Sequence, residues 1–345
     1  MEAILTTLLD VAIHHPAIIL LIILALAFDF SNGMHDSANS IATIVATRVM
    51  SPKRAIVMAA GANFLAFFLF TNHEVAKTVG SGLIELSAIT LTVTASALVA
   101  AISWNLLTWK LGLPSSSSHS LFGGLLGAGV AHAGWSVVVV IWWIKVLGFM
   151  IFAPLLWAVL GGLILIILLR VFRRVDFLNA QQYAKYLQIG SSLLYSIGHG
   201  GNDAQKTMGI IAGILVAGGV YSQFEIPFWV ALLCYTAIGM GTLFGGMRII
   251  RTMGSKITKL TPIWWSAATL AGSISLFSAS ALGIPVSTTH VITGAISGVG
   301  AIRNPRRVHW DFAMSIVSGW FLTIPGAAIV GAGTFFLFSY FGSFI

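Results

Sequence analysis

The sequence predicts an all-α membrane protein, a polytopic helical bundle of two inverted-topology repeats with about 10–12 transmembrane helices, some of them broken or re-entrant. Its composition, its recurring apolar runs and its alternating basic loops support this prediction. Of 345 residues, 57% are hydrophobic and 8% are charged, whereas soluble domains carry about 25% charged residues. A water-facing surface cannot be built from this composition, so a soluble fold is excluded.

Apolar runs follow one another along the chain, most of them long enough to cross the hydrocarbon core as a helix. The predicted spans are 17–45, 54–72, 88–110, 114–131, 136–170, 189–217, 227–247, 262–282, 285–301 and 311–340. The runs 114–131 and 285–301 are short and begin with polar residues, which is typical of re-entrant or broken helices. The run 136–170 is long enough for two passes, with Pro154 as a candidate break.

Two pairs of related segments divide the chain into halves. Gly112–Gly123 and Gly283–Gly294 share a proline, a Ser/Thr run and a histidine, and lie 171 residues apart. Gly33–Asn39 and Gly200–Lys206 share an aspartate and lie 167 residues apart. The two offsets nearly agree, so each half carries the same two elements in the same order.

Loops rich in Lys and Arg alternate with connections that carry little positive charge. The positive-inside rule places the basic loops in the cytoplasm, so the first half starts outside and the second starts inside. The predicted domains are a first repeat, a cytoplasmic linker and a second repeat, at 1–170, 171–188 and 189–345. Both termini are then external, and we expect a bacterial inner membrane. The net charge of +8 is a topology signal in short loops and does not indicate nucleic-acid binding.

Two carboxylates, Asp36 and Asp203, are candidates for binding a coupling cation. Each lies in a polar, glycine-bearing stretch flanked by apolar sequence. An ionisable residue at membrane depth costs about 2.5–3.5 kcal/mol, so it usually faces a cavity or a partner. Glycine and side-chain amides suit a helix that unwinds at the midplane and offers carbonyls and carboxylates to a cation. The alternative is an aspartate that caps a helix end, and the repetition of the motif favours the cation site.

The Pro-Ser/Thr runs supply the opposite polarity. Pro114 and Pro285 can each occupy the first turn of a helix, where a missing N–H costs nothing. Hydroxyl groups, free N–H groups and the positive helix end then converge, which makes an anion site suited to a tetrahedral oxyanion. The alternative is ordinary N-capping and Ser/Thr packing between helices. His119 and His290 follow the runs and could donate to the anion, carry protons or bond a backbone carbonyl.

Four motifs together resemble those of the PiT family of inorganic phosphate transporters. They are Asn32–Asn39, Pro114–His119, His199–Gly209 and Pro285–His290, and the resemblance covers nearly the whole chain. It implies an inverted-repeat fold and cation-coupled uptake of orthophosphate across a lipid bilayer. It implies no resident cofactor, and it is compatible with a homodimer.

The resemblance also implies which side chains line the site. The expected phosphate ligands are Ser115, Ser116, Ser117, Ser118, Ser287, Thr288, Thr289, Asn39, Asn202 and Gln205. The expected cation-coupling residues are Asp36, Asp203, Asn32, His119 and His290. Asp36 and Asp203 would also hold a metal, if sodium or a metal-phosphate complex binds.

Two departures from the family pattern bear on the coupling ion. In the family that this sequence resembles, sodium-coupled members carry a glutamate in the second span, where this chain has Asn63. The second aspartate motif reads Asn-Asp-Ala-Gln-Lys and ends at Lys206. Both features resemble the proton-coupled branch, which takes phosphate as a neutral divalent-metal complex. We therefore expect proton symport, with sodium symport as the alternative.

Two other functions compete with phosphate transport. One is transport of another oxyanion such as sulfate. The other is an intramembrane hydrolase built on Ser117, His119 and Asp36. Two nearly equivalent Ser/Thr-His runs fit a symmetric binding site better than a single nucleophile, and neither run lies in a Gly-x-Ser-x-Gly elbow. We therefore expect a transporter and not an enzyme.

Overall fold

The computed structural model describes residues 11, 13–113, 115–245, 261–303 and 305–342. Its helices are α1 (Pro16–Ala46), α2 (Pro52–Leu69), α3 (Glu74–Gly82), α4 (Leu91–Leu111), α5 (Ser117–Ala133), α6 (Val140–Phe172), α7 (Phe177–Ala217), α8 (Phe228–Leu243), α9 (Pro262–Ala281), α10 (Thr288–Arg303) and α11 (Trp310–Tyr340). Short 3₁₀ turns lie at Leu86–Ala88, Trp135–Val137 and Pro305–Arg307. The part of the chain that the structure describes is otherwise helical or irregular, apart from one isolated bridge between Ile84 and Val138.

Every predicted apolar run coincides with a helix, so the helical fold class is confirmed. Within the described ranges, five helices are long and apolar enough to cross a membrane: α1, α2, α4, α6 and the Ile316–Tyr340 part of α11. Helices α8 and α10 are apolar but shorter. Polar side chains are buried along α1, α5 and α7, while α6 exposes leucine and isoleucine. The described part of the molecule thus buries polar side chains within a mostly apolar core and exposes apolar side chains outside, as a bilayer requires.

Three local features decide between the sequence expectations or depart from them. Helix α6 runs unbroken through Pro154, so the run 136–170 forms one helix, and the alternative of two passes is not observed. Pro285 precedes α10, which begins at Thr288, so this proline is not in a first helical turn; Pro114 lies outside the described residues. The amphipathic helix α3 was not predicted, because its nine residues include Glu74 and Lys77 and resemble a polar loop.

Much of the predicted linker 171–188 is helical. Helix α7 begins at Phe177 because Asp176 caps it, accepting hydrogen bonds from the backbone N–H of Asn179 at 3.1 Å and of Leu178 at 3.2 Å. These hydrogen bonds, led by the one from Asn179, hold the pKa of Asp176 below its ordinary value. The division into two repeats and a linker stays a prediction.

Equivalent helices of the two halves pack in equivalent ways, each against the opposite half. Helix α5 packs on α11, and α10 packs on α6. A Cβ on Gly123 of α5 would lie 2.4 Å from the carbonyl oxygen of Ile324, and one on Gly294 of α10 would lie 2.4 Å from that of Pro154. Both contacts therefore require glycine.

The helices that carry the aspartates also pack against helices of the opposite half. Helix α1 packs on α8, and α7 packs on α2. A Cβ on Gly33 would lie 2.2 Å from the Ile238 oxygen, and one on Gly200 would lie 2.5 Å from the Asn63 oxygen. Helix packing thus repeats between the halves, with each half completing the other. The opposite orientation of the halves in the membrane stays a prediction.

Candidate substrate and cation site

Both aspartates lie inside continuous helices. Helix α1 is helical from Pro16 to Ala46 through Asp36, and α7 is helical from Phe177 to Ala217 through Asp203. The predicted unwinding is therefore wrong, and so is the alternative of a capping aspartate. The glycines of these motifs serve close helix contacts, and the backbone carbonyls stay in the helical hydrogen-bond ladder. Any cation ligands that α1 and α7 supply at these motifs are therefore side chains.

The structure brings Asp36, Asp203 and His199 together as one cluster. One ligand atom from each lies within 4.8 Å of the others, and all three residues are buried. Asn32 joins them, since its Nδ2 donates to Asp203 Oδ2 at 3.3 Å. Ser117 Oγ lies 2.6 Å from Asn32 Oδ1 and 3.0 Å from Asp36 Oδ2, so its proton can be given to either. These side chains of Asp36, Asp203, His199, Asn32 and Ser117 form one compact polar group, which we call the carboxylate cluster.

Lys206 was left open by the sequence between neutralising Asp203 and snorkelling to the interface, and the structure shows the pairing with Asp203. Its side chain is buried, and Nζ donates to Asp203 Oδ1 at 2.5 Å, to Ser118 Oγ at 2.6 Å and to the Val286 carbonyl at 2.7 Å. The ammonium thus links the carboxylate cluster to the start of both Ser/Thr helices. Its i,i+3 spacing from Asp203 was the available signal, but sequence alone did not separate this pairing from snorkelling to the interface.

His35 supports Asp36 from the other side. Its Nδ1 lies 2.9 Å from Asp36 Oδ1, and its Nε2 lies 3.2 Å from Thr108 Oγ1 and 3.4 Å from Ser115 Oγ. With Nδ1 donating to the carboxylate, Nε2 accepts from a hydroxyl. The ring therefore orients Asp36, and it links α1 to α4 and to the segment before α5.

The N-termini of α5 and α10 meet beside the carboxylate cluster. Thr289 Oγ1 donates to the Ser115 carbonyl at 3.1 Å, and Ser118 Oγ lies 3.5 Å from the Val286 carbonyl. Asn39 Nδ2 donates to Thr289 Oγ1 at 3.0 Å and lies 3.4 Å from Thr288 Oγ1. The convergence of two positive helix ends expected from the repeat is therefore present.

Two hydroxyls of the runs act as ordinary helix caps. Ser116 Oγ accepts from the backbone N–H of His119 at 3.2 Å, and Ser287 Oγ accepts from that of His290 at 3.4 Å. Helix α5 begins only at Ser117, so these two serines hold the helix ends in place. The capping alternative thus describes Ser116 and Ser287, whereas their neighbours face the cluster.

The two histidines lie behind the Ser/Thr runs. The rings of His119 and His290 are nearly perpendicular with centroids 4.5 Å apart, and His290 stacks on Trp320 at 3.5 Å. Among the described residues, no hydrogen bond joins either ring to Asp36 or Asp203. Both rings line a small cavity of about 20 Å³, roughly the space of one water molecule.

Asn202 and Gln205 are not brought into this group. Asn202 Nδ2 donates to Ser280 Oγ at 3.1 Å, and its Oδ1 accepts from the Val286 N–H at 3.3 Å. Gln205 Oε1 accepts from the Val75 N–H at 3.0 Å. Both amides therefore fasten α7 to its neighbours, and they hold the site together from outside it.

The geometry does not assemble a hydrolytic triad. A triad needs a serine hydroxyl bonded to a histidine base. Ser117 Oγ bonds Asn32 and Asp36 instead, and His119 faces His290. The set of Ser117, His119 and Asp36 therefore lacks its central contact.

Comparison with known proteins agrees with this geometry. The model of the Phosphate transporter family matches residues 32–331. A probable low-affinity inorganic phosphate transporter of Rhizobium meliloti (strain 1021) is 50% identical over 329 residues, covering 95% of this chain and 98% of the relative. One of Bacillus subtilis (strain 168) is 41% identical over 322 residues, covering 92% and 96%.

A solved structure gives the same answer at the level of the fold. This structure, of a protein described as "The sodium-dependent phosphate transporter", superposes with a TM-score of 0.85 at 26% identity, covering 94% of this chain and 99% of that one. The present chain is therefore a multi-pass membrane protein that belongs to the phosphate transporter family.

Proposed function

We propose that this protein is a secondary active transporter that imports inorganic phosphate by symport with protons. The observation that carries the proposal is the meeting of two helix N-termini, α5 and α10, beside two buried carboxylates and a buried lysine. An anion site and a cation site thus share one border. That arrangement suits a carrier that must bind substrate and coupling ion together.

The anion-binding part of the site offers several hydrogen-bond donors, as a tetrahedral oxyanion requires. The hydroxyls of Ser118 and Thr289, the amide of Asn39 and the ammonium of Lys206 lie within one connected set of hydrogen bonds. These donors now bond each other and backbone carbonyls. Phosphate would replace those internal bonds, so its binding requires the ends of α5 and α10 to move apart.

Two observations support coupling to protons. Lys206 Nζ lies 2.5 Å from Asp203 Oδ1 and neutralises it. The ammonium therefore occupies the position in which a sodium ion would otherwise pair with Asp203. Asn63 also brings no charge to the second span: its Nδ2 donates to Thr242 Oγ1 at 2.8 Å, and its Oδ1 lies 3.0 Å from His199 Nδ1. With fewer free carboxylates, a sodium ion has fewer ligands.

Sodium coupling is the second candidate. It is supported by the structural relative, which is described as sodium-dependent. Within the carboxylate cluster, Asp36, Asp203 and His199 have ligand atoms within 4.8 Å of one another, which also supports a third arrangement. In this version, phosphate enters with a divalent metal as cargo, and the metal is held between the cluster and the anion.

The proposal includes the membrane arrangement. The two halves would lie in opposite orientations in the bacterial inner membrane, with both termini external. Rocking of one half against the other would then expose the shared site alternately to each side. The exchange of helices between halves supports this relation, because each half presents its Ser/Thr helix to the other.

Radiolabelled phosphate uptake into proteoliposomes tests the proposal. An imposed proton gradient should drive accumulation without sodium, and a protonophore should abolish it. Strict dependence on sodium would contradict proton coupling, and uptake only with Mg²⁺ would establish the metal complex as cargo. Asp36→Asn and Asp203→Asn should each insert normally and lose coupled uptake; normal uptake in both variants would remove the carboxylates from the mechanism.

A further inference from the structure

Asp29 is a buried carboxylate that the carboxylate cluster does not include. It lies on α1 seven residues before Asp36, two turns away on the same face of an unbroken helix. Its exposure is 0%, and neither carboxylate oxygen has a hydrogen-bond partner among the described residues. A buried polar group without a partner is rare and calls for an explanation.

Two buried hydroxyls of neighbouring helices lie near Asp29. Thr207 Oγ1 of α7 is the hydroxyl beside the carboxylate. Tyr235 Oη of α8 is buried, and its surroundings include Gln205 as well as Asp29. Helices α1, α7 and α8 thus each bring a buried polar side chain to this region.

The charged and titratable groups that face Asp29 come from two neighbouring helices. They are Asp203 and Lys206 on α7 and Cys234 and Tyr235 on α8. In the described part of the chain, α2 and α4 present no titratable group to it. Lys206 is already bonded to Asp203, so no cation is bonded to Asp29.

An ionised carboxylate in this setting would be costly, because isolated buried charges are strongly disfavoured. A neutral carboxylic acid costs far less, and it can either donate a hydrogen bond to a hydroxyl such as that of Thr207 or accept one from it. The group is therefore suited to hold one proton while it faces the protein interior. It can release that proton when water reaches it.

We propose that Asp29, with Thr207 and Tyr235, forms a proton-binding site distinct from the carboxylate cluster, and that it carries the proton that drives phosphate uptake. This inference rests on the proposed function and identifies its coupling residue. The step is a proton transfer: a carboxylate oxygen takes a proton from water on the outer side and returns it to water on the inner side. No other bond changes.

Coupling to the substrate follows from the position of Lys206. Thr207 is its neighbour in sequence, and Asp29 faces both. Loss of the proton from Asp29 places a negative charge near Lys206. This charge attracts the ammonium that otherwise bonds Ser118 and Asp203. Deprotonation of Asp29 therefore weakens the electrostatic attraction between Lys206 and phosphate, and protonation restores it. This sign gives symport of proton and phosphate.

The test separates exchange from driven transport in proteoliposomes. In Asp29→Asn, exchange of phosphate for phosphate at equal pH on both sides should persist. Accumulation driven by a proton gradient should fall by more than about tenfold, and proton entry with phosphate, followed by an internal pH dye, should disappear. The matched control is Asp311→Asn, at an exposed position of α11, which should behave as the parent.

Each outcome supports or overturns the assignment. Undiminished accumulation and proton entry in Asp29→Asn would overturn it. Absence of phosphate exchange in the parent protein would instead refute the proposed function. If Asp29→Asn does not fold, Asp29→Glu keeps a titratable group and should retain coupling with a displaced pH profile; a profile identical to that of the parent would overturn the proposal.

Discussion

At the scale of single residues, the site depends on how buried charges are paired. Asp203 is bonded to Lys206 and Asn32 and lies 3.3 Å from His199 Nε2, and Asp36 is bonded to His35 and Ser117. Each of these bonds crosses between helices or links nearby residues of one helix. Because an unpaired charge in this interior is costly, these bonds hold Asp36, Asp203 and Lys206 in place.

At this scale we first predict how replacing Lys206 changes the KM for phosphate. Lys206→Met removes the ammonium from Ser118 and from the anion site, and it leaves Asp203 without its cation. A charge-assisted hydrogen bond contributes about 1.5–3 kcal/mol, so the KM for phosphate should rise roughly 10- to 100-fold. Uptake kinetics at saturating proton gradient measure it. Lys185→Met, at an exposed position, is the control, and an unchanged KM in Lys206→Met would show that the ammonium does not reach phosphate.

The sequence was sufficient to find some of these residues. Asp36, Asp203 and the Ser/Thr runs were identified because each occurs twice at nearly the same offset. Asn202 and Gln205 are expected phosphate ligands because they lie in the second aspartate motif, yet both bond the scaffold. Their direction depends on how α7 is rotated against its neighbours, and residue type carries no such information.

At the scale of helices, glycine permits close packing rather than unwinding. Sequence reasoning interpreted the glycines beside Asp36 and Asp203 as breaks, but Gly33 and Gly200 let a neighbouring backbone approach while α1 and α7 stay helical. Glycine suits both purposes in membrane helices. Only the neighbouring helix decides between them, so the unwinding expectation could not be corrected from one sequence.

The helix contacts of the second half give a prediction at this scale. Gly294→Ala places a Cβ 2.4 Å from the Pro154 oxygen, and overpacking of this kind costs about 1–3 kcal/mol. We expect a lower thermal unfolding temperature in detergent and a loss of uptake, because α10 must move outward with the Thr289 hydroxyl. Gly61→Ala is the matched control, since a Cβ there meets nothing within 4 Å. Equal stability of the two variants would contradict the packing described here.

At the scale of the whole molecule, hydropathy fixed the positions of the spans but not their partners. Each apolar run predicted a helix, because a lipid-facing backbone must satisfy its own hydrogen bonds. The exchange of α5 and α10 between halves was outside what a linear pattern can indicate. Two loosely similar sequence halves are compatible with separate bundles as well as with an interlocked one.

The opposite orientation of the halves is a prediction of this scale. In a Cys234→Ala background, single cysteines at the corresponding positions Trp135 and Arg306 should react with a membrane-impermeant maleimide from opposite sides. Arg306 follows α10 in a basic connection and should be cytoplasmic, whereas Trp135, 75% exposed, follows α5 in a connection without Lys or Arg and should be external. Labelling of both from the same side would refute the predicted topology.

Binding of phosphate where the N-termini of α5 and α10 meet is the inference on which the transport mechanism depends. It can be measured as equilibrium binding of radiolabelled phosphate to the purified protein, compared between the parent and the shape-conserving variant Thr289→Val. We predict saturable binding that arsenate displaces and sulfate does not, weakened in Thr289→Val by about tenfold because a buried donor is lost. Equal phosphate affinity in the two proteins would place the anion elsewhere and contradict this inference.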